Sequence, residues 1–364
     1  MRREENRGNK GQVVTFTAPA VRILIVDDNR VSLKMSVGLL RPYQMQVETA
    51  DSGACAVEMV REHAYDLVLM DYMMPDMNGA DVAKTIRGME GDPYKKLVIV
   101  ALTGNADQET QELFLAAGIN DFITKPVEMD SLDKILSKWI PEEKMVFERE
   151  ELGEGQMDTG QAAMTDWQME GIDVETGMSY SGNDQALYLE VLTDFADSIE
   201  ERAAQIEQAV EERDLNVYIM GVHSLKSSAR YLGAVTVADM AQALEADAKR
   251  EDWRAVELDT PELLSSYRSL YQSIAPYRLD RSYTGKRKRF NREEVYALLQ
   301  QLEKCMDEYD IDRGEEIAGT LQEYDLGKAW SGRRDRIMRA VDQFDYHACK
   351  KEACSWRQAL EKES

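Results

Sequence analysis

The 364-residue sequence predicts a multidomain chain with a doubly wound α/β domain, an all-α bundle and a C-terminal helical region. Up to about residue 142, short apolar runs rich in β-branched residues alternate with amphipathic stretches. That alternation is typical of βαβ units around a parallel sheet. From about residue 166, apolar residues recur at helical spacing, and the connections between the helical stretches are short.

Glycine-bearing or strongly charged segments separate these parts and set the expected boundaries. The acidic segment before the bundle reads as a flexible tether, which would raise the effective concentration of one domain near the other. The expected segments are a disordered lead (1–18), the α/β domain (19–142), an acidic linker (143–165), the helical bundle (166–279), a basic linker (280–289) and a helical tail (290–364).

Acidic residues stand where two of the predicted strands end. The apolar run over 21–26 ends in Asp27 and Asp28, and the run over 66–70 ends in Asp71. Ligands of open α/β sheets bind at the carboxyl ends of the strands, so these carboxylates are expected to converge. Mg²⁺ prefers a few carboxylates together with water and phosphate oxygens. The sequence therefore predicts a magnesium site at this edge.

A hydroxyl and an ammonium group are expected at the same edge. The apolar run over 97–102 ends in Thr103, and the run over 120–124 ends in Lys125. Phosphoryl transfer to a carboxylate needs little beyond position and charge neutralisation, which Lys125 helps to supply. A hydrogen bond from Thr103 to a phosphate oxygen exists only after phosphorylation, so it would favour one conformer.

Taken together, these residues resemble a two-component receiver (response-regulator) domain over about residues 19 to 142. The resemblance implies a flavodoxin-like fold with five parallel strands and implies Asp71 as the phosphoacceptor. It further implies that Asp28 binds Mg²⁺ directly, that Asp27 binds it mainly through water, and that Lys125 pairs with the phosphate. Thr103 and Phe122 would be the switch residues. The matching positions are Asp27-Asp28, Asp71, Met74-Pro75, Gly79, Thr103, Phe122 and Lys125-Pro126.

His223 falls on the polar face of a predicted helix, beside Lys226, Ser227 and Arg230. A solvated imidazole flanked by cations suits an anion. Taken alone, the segment is more typical of an ordinary surface histidine, and the acidic residues upstream reverse that preference. The apolar stripe of the same helix is Leu215, Ile219, Val222, Leu225, Ala229 and Leu232.

The histidine segment resembles a histidine-containing phosphotransfer (HPt) domain over about residues 166 to 279. The resemblance implies a four-helix bundle in which His223 is the phosphohistidine and Lys226 steadies its phosphate. Predicted helices over 183–211, 235–249 and 261–274 agree with it. Gly221 leaves two interpretations, close approach of a receiver or a packing requirement. The matching residues are His223, Leu225, Lys226, Ser228, Ala229 and Leu232-Gly233-Ala234.

Several function classes are disfavoured. No nucleotide-binding loop or kinase motif is evident, so a sensor histidine kinase would supply the phosphoryl group, and a downstream receiver domain would exchange it. The order of the two domains is similar to the C-terminal half of hybrid sensor kinases. A net charge of −24 argues against nucleic-acid binding, and no apolar run is long enough for a membrane span. Four cysteines without metal spacing, and no signal peptide, favour the cytoplasm.

The tail carries a weak internal repeat. The segment 306–310 aligns with 341–345, and the position of His223 then corresponds to Gly319 in one copy and Cys354 in the other. One interpretation is a pair of HPt-like helical hairpins without a phosphorylatable residue, which would serve docking or self-association. The other is a generic helical hairpin, and the sequence favours neither.

Three functions are compatible with the sequence. The first is a phosphorelay intermediate that carries a phosphoryl group on Asp71 and His223. The second is a phosphate sink in which Asp71 drains His223. The third is an interaction protein switched by phosphorylation, which is disfavoured because both phosphoacceptor sites look intact. Enzymatic activity would be limited to autophosphorylation from small donors and autodephosphorylation.

Overall fold

A computed structural model of the chain describes residues 16–75, 77–104, 107–147, 167–279, 288–308, 311–342 and 346–362. The expected disordered lead and both linkers lie almost wholly outside these residues. The chain divides into two compact units, Met1–Met45 with Asp51–Arg278 and Gln46–Ala50 with Leu279–Ser364.

The N-terminal part is an α/β fold around one five-stranded sheet with strand order β2-β1-β3-β4-β5. The expected doubly wound, five-stranded fold is confirmed. The strands are β1 (Arg22–Val26), β2 (Gln46–Ala50), β3 (Leu67–Asp71), β4 (Val98–Thr103) and β5 (Asp121–Thr124). The helices are α1 (Arg30–Leu40), α2 (Gly53–Glu62), α3 (Gly79–Arg87), α4 (Asp92–Lys96), α5 (Gln108–Ala117) and α6 (Met129–Trp139).

The parallel register carries the ends of the central strands to one edge. β1 pairs with β3 so that Val26 lies opposite Met70, and β3 pairs with β4 so that Asp71 lies opposite Leu102. Both strands β1 and β3 are almost completely buried, as expected for continuous apolar runs covered on two faces. The Asn29 side chain caps α1 by accepting from the backbone N–H of Val31, so the helix begins directly after the acidic pair.

The second part is a helical bundle. The histidine helix α9 ends at Gly233, which has φ +80°. The last helix was expected to begin at Pro261, but it begins at Trp253 behind the Asp252 cap, and Pro261 lies inside it. Burial of Val256 and Leu263 on either side of the proline stabilises the continuous helix. The helices are α7 (Val174–Tyr180), α8 (Gln185–Glu211), α9 (Leu215–Leu232), α10 (Val235–Lys249) and α11 (Trp253–Ile274).

Packing inside the bundle follows the predicted stripe of α9. Val222, Leu225 and Ala229 are buried in the bundle core. A Cβ atom at Gly221 would lie 3.0 Å from Cγ1 of Ile206 on α8, which is tighter than ordinary contact. Of the two interpretations of Gly221, the structure favours packing against α8.

The C-terminal part contains four helices around one apolar core. This core includes Leu299, Leu302, Ile337 and the fully buried Trp356. The four helices therefore form one bundle, and a relation to HPt hairpins stays a prediction. The elements are β6 (Lys288–Arg289), α12 (Arg292–Glu308), α13 (Ile311–Leu321), β7 (Tyr324–Asp325), α14 (Gly327–Asp342) and α15 (Tyr346–Lys362). Across the described ranges, no helix combines the length and apolar character that crossing a bilayer requires.

We expect Gly233→Ala to destabilise the helical bundle. A Cβ atom at this position would lie 2.0 Å from the carbonyl oxygen of Asp173, and the positive φ is unfavourable for alanine. The free energy of opening of α9, measured by amide hydrogen exchange, should fall by roughly 1–3 kcal/mol or more.

Gly319→Ala is the matched control, because a Cβ atom there meets nothing within 4 Å in α13. Alanine should leave the stability of the tail unchanged or raise it slightly. An unchanged opening free energy of α9 in Gly233→Ala would contradict the described contact.

Candidate functional site

Three carboxylates meet at the edge where β1 and β3 end. One oxygen from each of Asp27, Asp28 and Asp71 lies within 4.8 Å of the other two. Asp27 and Asp71 are buried, whereas Asp28 is partly exposed. The convergence predicted from the strand ends is therefore present in the structure, and the donor set consists of the hard oxygen ligands that Mg²⁺ prefers.

Lys125 is the buried cation of this cluster. Its Nζ lies 2.6 Å from Oδ2 of Asp27 and 2.9 Å from Oδ1 of Asp71. Burial alone would lower the pKa of Lys125, but attraction by Asp27 and Asp71 outweighs burial and raises it. Lys125 is therefore protonated in this site. If all three carboxyl groups were ionised, the single ammonium of Lys125 would leave two negative charges without compensation inside the cluster.

Burial and repulsion between the carboxylates raise the pKa values of two of these carboxyl groups. Burial, together with repulsion from Asp27 and Asp28, raises the pKa of Asp71 to about 8 despite the opposing effect of Lys125. Burial and the charge of Asp27 raise the pKa of Asp28 to about 6. A divalent cation would match the missing charge, and the residues present therefore fit Mg²⁺.

Thr103 and Phe122 lie where the sequence predicted them. Thr103 is the buried last residue of β4, and its carbonyl oxygen accepts from the backbone N–H of Lys125 at 2.7 Å. Phe122 is partly buried, with its ring centroid 6.3 Å from that of Phe114. The backbone N–H of Met73 donates to Oδ1 of Asp71 at 3.4 Å. Asn105, which the sequence places two residues after Thr103, lies outside the described residues.

His223 belongs to a buried network with Glu245 of α10. Nδ1 of His223 lies 3.0 Å from Oε1 of Glu245, and Nζ of Lys226 lies 2.5 Å from Oε2. Lys249 adds a third contact to the same carboxylate at 2.6 Å. A carboxylate at Nδ1 favours the tautomer with the proton on Nδ1, which leaves the lone pair of Nε2 free to act as nucleophile.

The network sets the charge states of its members. Burial lowers the pKa of His223, and the Lys226 and Lys125 charges lower it further against the raising effect of Glu245. Burial would raise the pKa of Glu245, but its hydrogen bonds to His223 and Lys226 bring it far below its usual range. His223 is therefore a neutral imidazole at neutral pH, held by an ionised carboxylate.

The expectation that His223 is solvated is wrong. His223 is only 6% exposed, and Lys226 and Ser227 are also buried. Helical periodicity separated the polar face from the bundle core correctly. It could not show that a second domain lies over that face.

The α/β domain contacts α9 directly. The Asn29 side-chain amide donates to Oγ of Ser224 at 2.9 Å and to Oγ of Ser228 at 2.7 Å. The backbone N–H of Val127 donates to the hydroxyl of Tyr231 at 3.0 Å. Asn29 directly follows Asp28, and Val127 lies two residues after Lys125, so these contacts hold the acidic edge of the sheet against the histidine helix.

A small cavity lies between the two groups of predicted site residues. Its volume is about 10 Å³, close to the minimum that one water molecule needs. Lys125 from the sheet edge and Lys226 and Arg230 from α9 contribute cations to the lining, and no carboxylate lines it. A Cβ atom at Gly104 would lie 3.6 Å from Nζ of Lys226 and 3.9 Å from Cε1 of His223. The cavity is electrostatically suited to an anion.

Glu245, Asn29 and Arg202 are site residues that the sequence analysis missed. Arg202 on α8 donates to Oγ of Ser224 at 2.9 Å, and its charge lowers the pKa of Asp28. Glu245 carried a usable signal, because it shares the buried face of α10 with Ala241 and Ala248. Asn29 and Arg202 carried no such signal, because their hydrogen-bond partners lie 199 and 22 residues away in the sequence.

Comparisons with known proteins identify two families. A model of the response regulator receiver domain matches residues 23–137, and a model of the Hpt domain matches residues 190–274. No kinase domain is found in this chain. The sensor histidine kinase GacS of Pseudomonas protegens is 29% identical over 250 residues, which are 66% of this chain and 26% of that protein. The kinase BarA of Escherichia coli K12 is 28% identical over 246 residues, with 67% and 26% covered.

Two solved structures are similar to about a third of this chain. The receiver domain of the sensor histidine kinase PA1611 from Pseudomonas aeruginosa PAO1, which has a magnesium ion coordinated in its active-site cleft, is 34% identical. That match covers 33% of this chain and 96% of the other, with a TM-score of 0.31. The chemotaxis protein CheY4 of Vibrio cholerae is 28% identical, covering 33% and 98%, also with a TM-score of 0.31. The present chain spans about a quarter of the curated relatives named above.

We expect Glu245→Gln to lower the pKa of His223. The substitution removes the carboxylate charge that favours the protonated imidazole, while burial and the charge of Lys226 remain. The pKa can be followed through the imidazole resonances in a pH titration by NMR.

Asp239→Asn is the control, because Asp239 is an exposed carboxylate on the same helix. It should leave the His223 titration unchanged. A His223 pKa that is unaltered or higher in Glu245→Gln would contradict the described network.

Proposed function

We propose that this chain passes a phosphoryl group between its own Asp71 and His223. The chain is a phosphorelay component of two-component signalling, with a receiver domain followed by an Hpt domain. Receiver and Hpt domains interact with histidine kinases and with the receivers of response regulators, which are the partners expected here. The observation that carries the proposal is the docking of the acidic strand edge on the helix of His223 through Asn29 and Tyr231.

We propose Asp71 as the phosphoacceptor of the receiver domain and Lys125 as the residue that neutralises the phosphoryl group. Lys125 already contacts both Asp27 and Asp71 and is buried, so it cannot rotate freely away. Asp28, Asp27 and Asp71 would hold Mg²⁺, which when bound neutralises charge on the phosphoryl oxygens. Thr103 and Phe122 are proposed as switch residues because they lie on the adjacent strands β4 and β5.

The transfer step requires no proton to leave the site. The lone pair of Nε2 of His223 attacks the phosphorus of the Asp71 acyl phosphate. The bond from phosphorus to the carboxylate oxygen breaks, and Asp71 returns as a free carboxylate. The imidazole becomes a phosphorylated cation that keeps the proton on Nδ1, and the Glu245 carboxylate stabilises that cation. The reverse transfer uses the same atoms in the opposite order.

Lys226 and Arg230 would support the transferred group from the Hpt side. Both line the small cavity together with Lys125, so cations face the phosphoryl path from both domains. The cavity holds about one water molecule, so the side chains that line it must separate slightly when a phosphoryl group enters. A cytoplasmic site of action is also proposed, and it is supported by the four cysteines, which form no disulfide within the described residues.

The C-terminal bundle is proposed as a docking or self-association module. Its helices bury a core of their own, and the positions aligned with His223 are Gly319 and Cys354, which cannot form a phosphohistidine. A chain that ends near residue 282 should lose self-association in light scattering. Identical behaviour of the truncated and full chains would contradict this role.

We expect acetyl phosphate with Mg²⁺ to yield phosphate on both Asp71 and His223 of the unaltered chain. Small donors commonly phosphorylate receivers and not Hpt histidines, so His223 should receive its phosphate through Asp71. Asp71→Asn should therefore abolish the His223 signal, and His223→Gln should leave phosphate on Asp71 only. Mass spectrometry at neutral pH preserves both phosphorylated residues for mapping.

His63→Gln is the matched control, because His63 is exposed and lies just beyond α2 on the receiver. It should not alter phosphate on either acceptor. Phosphate confined to Asp71 in the unaltered chain would contradict transfer within the chain and would direct the search to a separate receiver for His223.

A further inference from the structure

The polar face of α9 is buried by the receiver domain. His223, Lys226 and Ser227 are almost inaccessible, although they point away from the core of their own bundle. Gly104 approaches His223 and Lys226 from the receiver side, and the cavity beside them is closed by Lys125 and Pro126. Only one receiver can occupy this face at a time.

An ion pair outside the candidate site helps to hold the receiver domain on the helical bundle. Nζ of Lys34 on α1 lies 2.6 Å from Oδ2 of Asp194 on α8, with side chains 7% and 15% exposed. Beside it, Val31 and Met35 of α1 join the apolar core of the bundle. The pair is nearly buried, and Lys34→Glu would place two carboxylates against each other there, which favours separation.

Close packing of α1 against α8 also restricts the position in which the receiver domain docks. A Cβ atom at Gly38 would lie 2.1 Å from Cδ2 of Leu187, so a larger residue in α1 would displace the Leu187 side chain of α8. Together with the Asn29 hydrogen bonds to Ser224 and Ser228, this contact fixes one docked position.

We propose that the receiver domain of this chain is a gate over its own His223. While α1 is docked on α8 and α9, an external receiver domain cannot reach His223, and breaking the contact between Lys34 and Asp194 opens the site. The proposal rests on the proposed function, because access of a second receiver matters only if His223 carries phosphate. Domains in one chain meet at high effective concentration, so an external receiver binds only the fraction of chains that is open.

The first test measures access to His223 without any phosphoryl transfer. The full chain is treated with diethyl pyrocarbonate, and modification of His223 and His63 is quantified by mass spectrometry. Lys34→Glu should accelerate His223 modification by at least about tenfold and leave His63 unchanged. The charge-swapped chain with Lys34→Glu and Asp194→Lys should return to slow modification.

Lys96→Glu is the matched control, since it makes the same charge change on the receiver at an exposed residue of α4. It should leave His223 protected. Equal modification of His223 in the unaltered and Lys34→Glu chains overturns the gate.

The second test measures competition between the two receivers. A chain with His223→Gln, phosphorylated by acetyl phosphate, is mixed with a chain carrying Asp71→Asn, and phosphate on His223 of the latter is followed. Lys34→Glu in both chains should accelerate this transfer between chains by at least about tenfold, and the charge swap should reverse the effect. Equal rates with and without Lys34→Glu would overturn the gate.

The two tests separate the gate from the relay. If His223 receives no phosphate in any combination while its diethyl pyrocarbonate modification follows the expected order, the relay fails and the gate stands. If phosphate passes between chains with unaltered interfaces as fast as between chains with Lys34→Glu, the gate fails, whatever the rate of transfer within one chain.

Discussion

The excess of buried negative charge at the carboxyl edge of the sheet is the constraint on which the rest of the site depends. Asp27, Asp28 and Asp71 share one buried cation, Lys125, so the edge attracts further positive charge. Mg²⁺ is one source of that charge, and the cationic face of α9 is another. The acidic edge of the receiver domain and the cationic face of α9 therefore carry charges of opposite sign.

Within the Hpt domain, the Glu245 carboxylate offsets an excess of positive charge around His223. Burial and the nearby cations disfavour a charged His223 imidazole by lowering its pKa. The proposed phosphorylation of Nε2 would nevertheless create a positive imidazole ring. A buried carboxylate on Nδ1 offsets both effects, because it fixes the tautomer before transfer and stabilises the cation after it. His223 and Lys226 in turn hold the pKa of Glu245 far below its usual range, so this carboxylate is ionised before any transfer would begin.

The central strands and their functional ends could be predicted because their apolar runs are long and end in polar residues. β2 (Gln46–Ala50) is as long as β1 and β3 but contains several polar residues, so it was expected only through the family resemblance. The stripe of α9 correctly separated Val222 from His223, but periodicity describes packing inside one domain. Burial of His223 arises from contacts such as Asn29 with Ser228, whose residues lie 199 positions apart and share no local pattern. Helix α11 begins before Pro261 because tertiary burial outweighed a local helix-breaking preference.

The most direct test of transfer within the chain is the dependence of its rate on protein concentration. Phosphate is placed on Asp71 with acetyl phosphate, the donor is removed rapidly, and the appearance of phosphate on His223 is followed over a wide range of protein concentration. Docking within one chain predicts a first-order rate constant that does not change with concentration, because the acceptor is always at the same effective concentration. A rate that rises in proportion to protein concentration would show transfer between separate chains and would contradict the account.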